Sequence, residues 1–496
     1  MMLGKVGRVL LTFFVLGTIM TAPGTAWADE AINPTTGVQV QNLDAANTDV
    51  NIRAVNKQGT TVNGAGAGFN DVIPANSSKT YFPLDQLGVT TGFDGSLVVS
   101  SAKPVAAIAN LLAKSTTGIN TSASYGGVSN AATPLTLPLI MKNNGANKFD
   151  TVFNVQNAGT TDTTVTVTYV PADATTGNTG CQQTATIKPG AAATFDQGKD
   201  SNYTGCAQAN GLVGDDGKFV GSATVASAGP LVAAALESSR LTLFAYTGFA
   251  QGTINPVMPL VNANNNGNVT GIQVANIGNQ DTNVTISYTK GSDGTDCTET
   301  QTVKAGSSTT FALVAFANSS LGAAENCADG AKFVGSGRVS ANTANQPLVA
   351  IANQLNNPKG FGAAYSSFDA ATATDKVSLP LIVDNNGKFK GFTGYSIANV
   401  GAAPVNITCT YATVAGHTPA VSTGTNIAPG SAMVVNNNGQ LRKDANTAYV
   451  GSATCVATPA GAKIVGVVNQ SVALTTAPDG AAAGDKLLVY EGFSKQ

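Results

Sequence analysis

The chain has 496 residues, 26 of them Lys or Arg and 28 Asp or Glu, and charged residues make up only 11% of it. A near-balanced charge with no basic cluster argues against nucleic-acid and anionic-membrane partners. Ordered alternation of Val, Ile, Leu and Phe argues against disorder, and a surface filled by Asn, Thr, Ser, Gly and Ala is typical of extracellular β-proteins.

Residues 1–28 read as a secretory signal. Lys5 and Arg8 form the basic start, Val9 to Met20 the apolar segment, and Ala26-Trp27-Ala28 a small-x-small cleavage site before Asp29. The alternative is a membrane anchor. The apolar run falls short of the roughly 20 residues a spanning helix needs, and Pro23-Gly24 interrupt it. No Cys follows it to carry a lipid, and no later run reaches spanning length, so no transmembrane span is expected in the mature chain.

The rest repeats itself. Leu137-Pro138-Leu139, Met258-Pro259-Leu260 and Leu379-Pro380-Leu381 recur at a constant interval of roughly 120 residues, too long for a solenoid unit and right for tandem domains. Four segments close alike: Tyr125-Gly-Gly-Val128, Tyr246-Thr-Gly-Phe249, Tyr365-Ser-Ser-Phe368 and Tyr490-Glu-Gly-Phe493. Four copies follow, the first lacking the Leu-Pro-Leu front. The expected domains are 29–130, 137–250, 258–369 and 379–496.

Within a copy the elements come in one order. A strand ends in Asn42, Asn157, Asn276 or Asn399, and a turn follows. A second strand alternates in period 2, as in Val165, Val167, Tyr169 or Val405, Ile407, Cys409, Tyr411. An apolar-x-Pro-Gly turn signal comes next: Ile187-Lys-Pro189-Gly190, Val303-Lys-Ala305-Gly306 and Ile427-Ala-Pro429-Gly430, with Val72-Ile-Pro74-Ala75 as the weaker first copy. Gly95-Ser96, Gly221-Ser222, Gly335-Ser336 and Gly451-Ser452 each open another strand and suggest a bulge or a close backbone approach. An apolar strand and the closing Tyr strand complete about seven strands. The expected fold is all-β, four tandem immunoglobulin-like β-sandwich domains; a small barrel is the other closure.

The six cysteines fall two per copy in copies 2 to 4. In an exported chain they read as three disulfides, Cys181–Cys206 and Cys297–Cys327 stapling a surface loop and Cys409–Cys455 lying in the core. Cys409 overlays Val167 and Ile286, and Cys455 overlays Val225 and Val339, so the two positions are expected to touch across the core in every copy. Metal binding is the competing reading, and neither Cys-x-x-Cys spacing nor partner histidines support it.

No catalytic, cofactor or metal residue is expected. His417, the sole His, lies in a loop without a nucleophile or orienting acid near it in sequence. Asp215-Asp216-Gly217, Asp293-Gly294-Thr295-Asp296, Asn264-Asn265-Asn266-Gly267 and Asp384-Asn385-Asn386-Gly387 lack the ligand spacing of a calcium loop and read as turns. The strand-end asparagines suit a backbone-capping duty. Sequons at Asn76, Asn120, Asn202, Asn268, Asn283, Asn318, Asn406 and Asn469 are what the composition yields by chance.

Taken together, Leu-Pro-Leu, Asn-Asn-Gly, Val-x-Asn-x-Gly, Thr-x-Tyr, Pro-Gly, Val-Gly-Ser-Ala, Pro-Leu-Val-Ala and Tyr-x-Gly-Phe resemble the tandem β-sandwich repeats of secreted bacterial surface proteins, over nearly all of residues 31–493. The resemblance implies exported, surface-associated, immunoglobulin-like modules and brings no functional residue with it. The expected role is a structural protein of the cell exterior: a surface-layer, matrix or filament subunit and not an enzyme. The alternative is an adhesin binding protein or glycan through end loops such as 198–217 or 316–331. Copy 1 has no Leu-Pro-Leu strand before it and copy 4 has none after it, so whichever neighbour the strand joins, an open sheet edge is expected at one end of the chain, with self-association end to end or pairing with other surface components.

Overall fold

The computed structural model describes residues 9–15, 32–90, 92–115, 120–172, 181–206, 211–213, 217–239, 242–317, 324–480 and 482–494. These residues form strands in antiparallel sheets with only short 3-10 turns, and no helix among them is long and apolar enough to cross a membrane.

Each sequence copy contributes two sheets. In copy 2 one sheet runs Cys181–Ile187, Thr163–Pro171, Phe219–Ala226, Leu135–Lys142, and the other Ala192–Asp196, Asp150–Asn157, Leu231–Ser238, Leu243–Thr247. Copies 3 and 4 repeat both orders, with short added edge strands at Ala324–Glu325, Phe368–Asp369 and Phe493–Ser494. The alternating strands show why they form. In Val405–Tyr411, Val405, Ile407, Cys409 and Tyr411 are buried while the intervening Asn and Thr residues are exposed. Such a strand presents one apolar face, and each copy's buried cluster draws on both of its sheets.

Copy 1 departs at its first strand. Ile32–Asn42, Val105–Ser115 and Asn120–Gly126 match their counterparts, and the Gly-Ser strand Gly95–Ser101 lies beside Thr48–Asn56. The place that a Leu-Pro-Leu strand holds in the other copies is taken by Val9–Val15, paired antiparallel to Gly95–Ser101.

The Leu-Pro-Leu strand pairs with the Gly-Ser strand of its own copy. The register shifts between Leu137 and Ile140, between Met258 and Val261, and between Leu379 and Ile382. Pro138, Pro259 and Pro380 sit in these irregularities, where a missing N–H breaks no ladder bond. Glycine is required opposite. A Cβ on Gly221 or Gly335 would stand 2.1 Å from the carbonyl oxygen of Val170 or Thr289.

Two expectations need correction. Cys409 and Cys455 do not meet across the core. They are register partners on neighbouring strands of one sheet, with Cα atoms 3.9 Å apart, as are Val167 with Val225 and Ile286 with Val339. Both side chains point inward from the same sheet, and this common facing is what the shared apolar pattern records. In the turn of copy 1 the left-handed residue is Asn76 (φ 52°), bridged by Ser77 N–H to the Pro74 carbonyl. Asn76 therefore stands where Gly190, Gly306 and Gly430 stand, and Pro74 is one position earlier than the Pro of copies 2 and 4.

Candidate functional site

The most elaborate constellation in the molecule lies where the copies meet, and it is built from the repeated motifs. In copies 2 to 4 the closing tyrosines act first within their own copy. The hydroxyls of Tyr246, Tyr365 and Tyr490 each donate to the carbonyl of Leu139, Leu260 or Leu381, all at 2.5 Å. The amides of Leu260 and Leu381 donate back to the same oxygens at 3.3 and 3.2 Å. The residue after Pro is lifted out of the ladder, and the phenol satisfies its backbone. Burial pushes all three hydroxyls up, so they remain protonated donors.

The strand-end asparagines anchor the adjoining turns. Asn157 Nδ2 donates to the carbonyls of Thr161 and Ile187 at 2.7 and 2.9 Å, and its Oδ1 accepts from Gly159 N–H at 2.8 Å. Asn42, Asn276 and Asn399 repeat the arrangement, and all four are fully buried.

The serines of the Gly-Ser pairs then link one copy to the next. Ser96 Oγ donates to the Gly190 carbonyl at 2.5 Å, Ser222 to Gly306 at 3.2 Å, and Ser336 to Gly430. Ser452 donates to Asn76 at 3.4 Å, which carries the series from copy 4 back to copy 1. The apolar contacts follow the same cycle. Ile108 of copy 1 is buried in the copy 4 cluster, Ile351 of copy 3 in the copy 2 cluster, and Val467 of copy 4 in the copy 3 cluster, while Ala234 of copy 2 joins Ala109 and Tyr125 of copy 1. The open row expected from the repeats is a closed ring in the structure.

At its centre the closing strands pack side by side, and buried carboxylates sit among them. Asp485 of copy 4 accepts from Leu243 N–H of copy 2 at 3.2 Å and Gly362 N–H of copy 3 at 3.1 Å; its own carbonyl accepts from Ser122 Oγ of copy 1 at 2.9 Å. One residue thus bonds to all three other copies. Glu237 of copy 2 accepts from Asn353 Nδ2 of copy 3 at 2.6 Å, and Glu491 of copy 4 accepts from the Ser366 amide. Burial raises the pKa of all three, Glu237 to about 8, because desolvation outweighs these hydrogen bonds. The Asn353 bond works in the opposite direction, by favouring the ionised Glu237.

These carboxylates were not singled out from the sequence. Glu237 carried a visible signal, a lone acid in a strand otherwise apolar from Leu231 to Leu236 and buried on both faces. A strand buried on both faces packs against two layers, so its charged member must find a partner beyond its own sheet.

Disulfides link Cys181 to Cys206, Cys297 to Cys327 and Cys409 to Cys455. His417 closes a tight turn with Val414, and its Nε2 lies 3.2 Å from the Leu441 carbonyl. Asp293 pairs with Lys332, and buried Asp384 accepts from the amides of Gly439, Leu441 and Arg442. Asn264 to Gly267 form a hairpin turn. Asp215, Asp216 and Asn318 lie outside the described residues, as do parts of both end loops. A cavity of about 310 Å³ opens between copies 3 and 4, lined by Asn262, Asn356, Phe361, Tyr395 and Asn469 among others.

No family profile matches the chain, and no curated protein matches it. Among solved structures, a tetra-tandem repeat in the extending region of a large adhesion protein is similar at 12% identity over 94% of this chain and 99% of that one, with a TM-score of 0.08. A likeness at that level carries no argument about fold or function.

Proposed function

We propose that this is a secreted or cell-surface structural protein, built from four immunoglobulin-like sandwich modules of about seven strands that follow a cleaved signal peptide. Each pair of sheets is read as one module, with the boundaries given by the repeats. The observation that carries the reading is the cyclic joint. The buried titratable groups at the centre, Glu237, Asp485 and Glu491, bond from copy to copy, which is the duty of a load-sharing hub and not of a reaction centre. Three disulfides suit an oxidising exterior. The protein is proposed not to be an enzyme.

With its copies closed on one another, the particle joins other surface components laterally, through exposed edges, and not by stacking chain ends. Negative-stain microscopy of protein purified from culture medium or shed surface material tests both parts. Four-lobed particles, single or in lattices, support the reading; extended rods, or a protein confined to the cytoplasm, overturn it.

A binding role is the second reading, and the cavity between copies 3 and 4 favours it. Gln354 and Asn469 line it together with Phe361 and Tyr395; Asn469 Nδ2 donates to Gln354 Oε1 at 3.2 Å, while Gln354 Nε2 and Asn469 Oδ1 have no hydrogen-bond partner among the described residues. Amides beside aromatic rings suit a neutral polyhydroxylated ligand such as a glycan. A glycan array distinguishes this adhesin reading from a purely structural one.

A further inference from the structure

In three copies the strand beside the Gly-Ser strand follows the preceding copy in sequence; in copy 1 it comes from the apolar segment of the leader. The registers coincide. Leu11 lies opposite Val99, Phe13 opposite Leu97 and Val15 opposite Gly95. Leu135, Leu137 and Ile140 hold the equivalent places opposite Val225, Ala223 and Gly221, as do Val377, Leu379 and Ile382 opposite Cys455, Ala453 and Gly451. Both kinds of strand run antiparallel to the Gly-Ser strand. The leader differs in lacking the Pro and its register shift.

Cleavage after Ala28 would take this strand away. It would leave the N–H and C=O groups along one edge of Gly95–Ser101 unpaired, above a floor containing the buried side chains of Leu97 and Val99. An edge of that kind templates strand addition. A second folded copy is poorly suited to fill it, because each of its Leu-Pro-Leu strands is already paired within its own sheet.

We propose that the Gly95–Ser101 edge of the exported protein is a strand-acceptor site for an extended segment of a partner protein, apolar at alternate positions, and that the leader occupies this site until it is removed. Main-chain hydrogen bonds supply the pairing, and the alternate apolar positions supply the selection. The site gives the ring one attachment point despite its fourfold repetition. The inference rests on the export reading above.

The test uses protein purified after export, with a synthetic peptide of residues 8–16 carrying a solubilising Lys tail as the probe. Intact-mass analysis first reads the N-terminus. With Asp29 at the start, the peptide is expected to bind saturably at one per chain and to slow amide exchange across residues 95–101 by about tenfold, while residues 221–226 stay unchanged. A peptide with Phe13→Pro, which removes a donor and fixes φ in the middle of the strand, is expected to lose binding. Fusing the 135–142 sequence ahead of Asp29 through a short flexible linker is expected to abolish peptide binding and raise Tm. Fast exchange at 95–101 with no peptide binding overturns the proposal. So does an edge already protected in a chain starting at Asp29, whether by another of its own segments or by a second copy in a dimer. A chain that retains residues 1–28 overturns the cleavage reading on which the open edge depends, a failure separately visible in the mass.

Discussion

Asn157 holds three backbone groups with one amide: two carbonyls accept from its Nδ2, and one N–H donates to its Oδ1. No other uncharged side chain of that length offers both a two-proton donor and an acceptor, which explains Asn at the same place in each copy. Asn157→Ala strands those groups in a buried site, at an expected cost of about 2–3 kcal/mol. Asn157→Asp keeps the acceptor and loses the donor, so it should be no milder. Thermal unfolding followed by near-UV circular dichroism checks both; a melting temperature unchanged in Asn157→Ala would show that water replaces the amide.

At the scale of strands, the Leu-Pro-Leu segment depends on its tyrosine. Tyr365→Phe leaves the ring in place but removes the hydroxyl that bonds both the amide and the carbonyl of Leu260. The expected loss is about 1–2 kcal/mol, with faster amide exchange along Pro256–Ala263 than in the equivalent strands of the other copies. The copy 4 disulfide supports a converse prediction. Cys409 and Cys455 stand where Val167 pairs with Val225, so replacing both with Val should preserve the sheet and cost less than about 2–4 kcal/mol, since apolar packing offsets part of the lost crosslink. Cys409→Ser alone leaves an unpaired thiol and a buried hydroxyl, and should cost more. Denaturant midpoints of the two variants under oxidising conditions rank them, and the reverse order would refute the shared-position argument.

Across the whole molecule, the central carboxylates tie ring stability to pH. Glu237 has its folded-state pKa raised to about 8, above the ordinary Glu value of 4.5, so the folded state binds a proton that the unfolded chain releases in this interval. Its contribution is complete below the unfolded pKa and is lost as pH rises through about 8, at a slope of about 1.4 kcal/mol per pH unit between the two pKa values. Asp485 and Glu491 shift in the same direction. The melting temperature should therefore fall from pH 5 to pH 8 and level off above it. Glu237→Gln, which stays neutral and keeps an acceptor for Asn353, should flatten part of that fall; an unchanged slope would assign the dependence elsewhere.

Local pattern accounts for the strands, their order and the turns between them, because period-2 alternation, Pro-Gly pairs and capping asparagines act over a few residues and show in the chain itself. The pairing of Cys409 with Cys455 was legible as contact but not as contact within one sheet, since both a shared face and opposed faces produce the same apolar overlay. Closure of the four copies, the second buried face of strands such as Leu231–Ser238 and the meeting of Asp485 with residues of copies 1, 2 and 3 came from packing alone. These contacts join residues from 84 to 376 positions apart, and no local periodicity reports which distant surfaces will exclude water together.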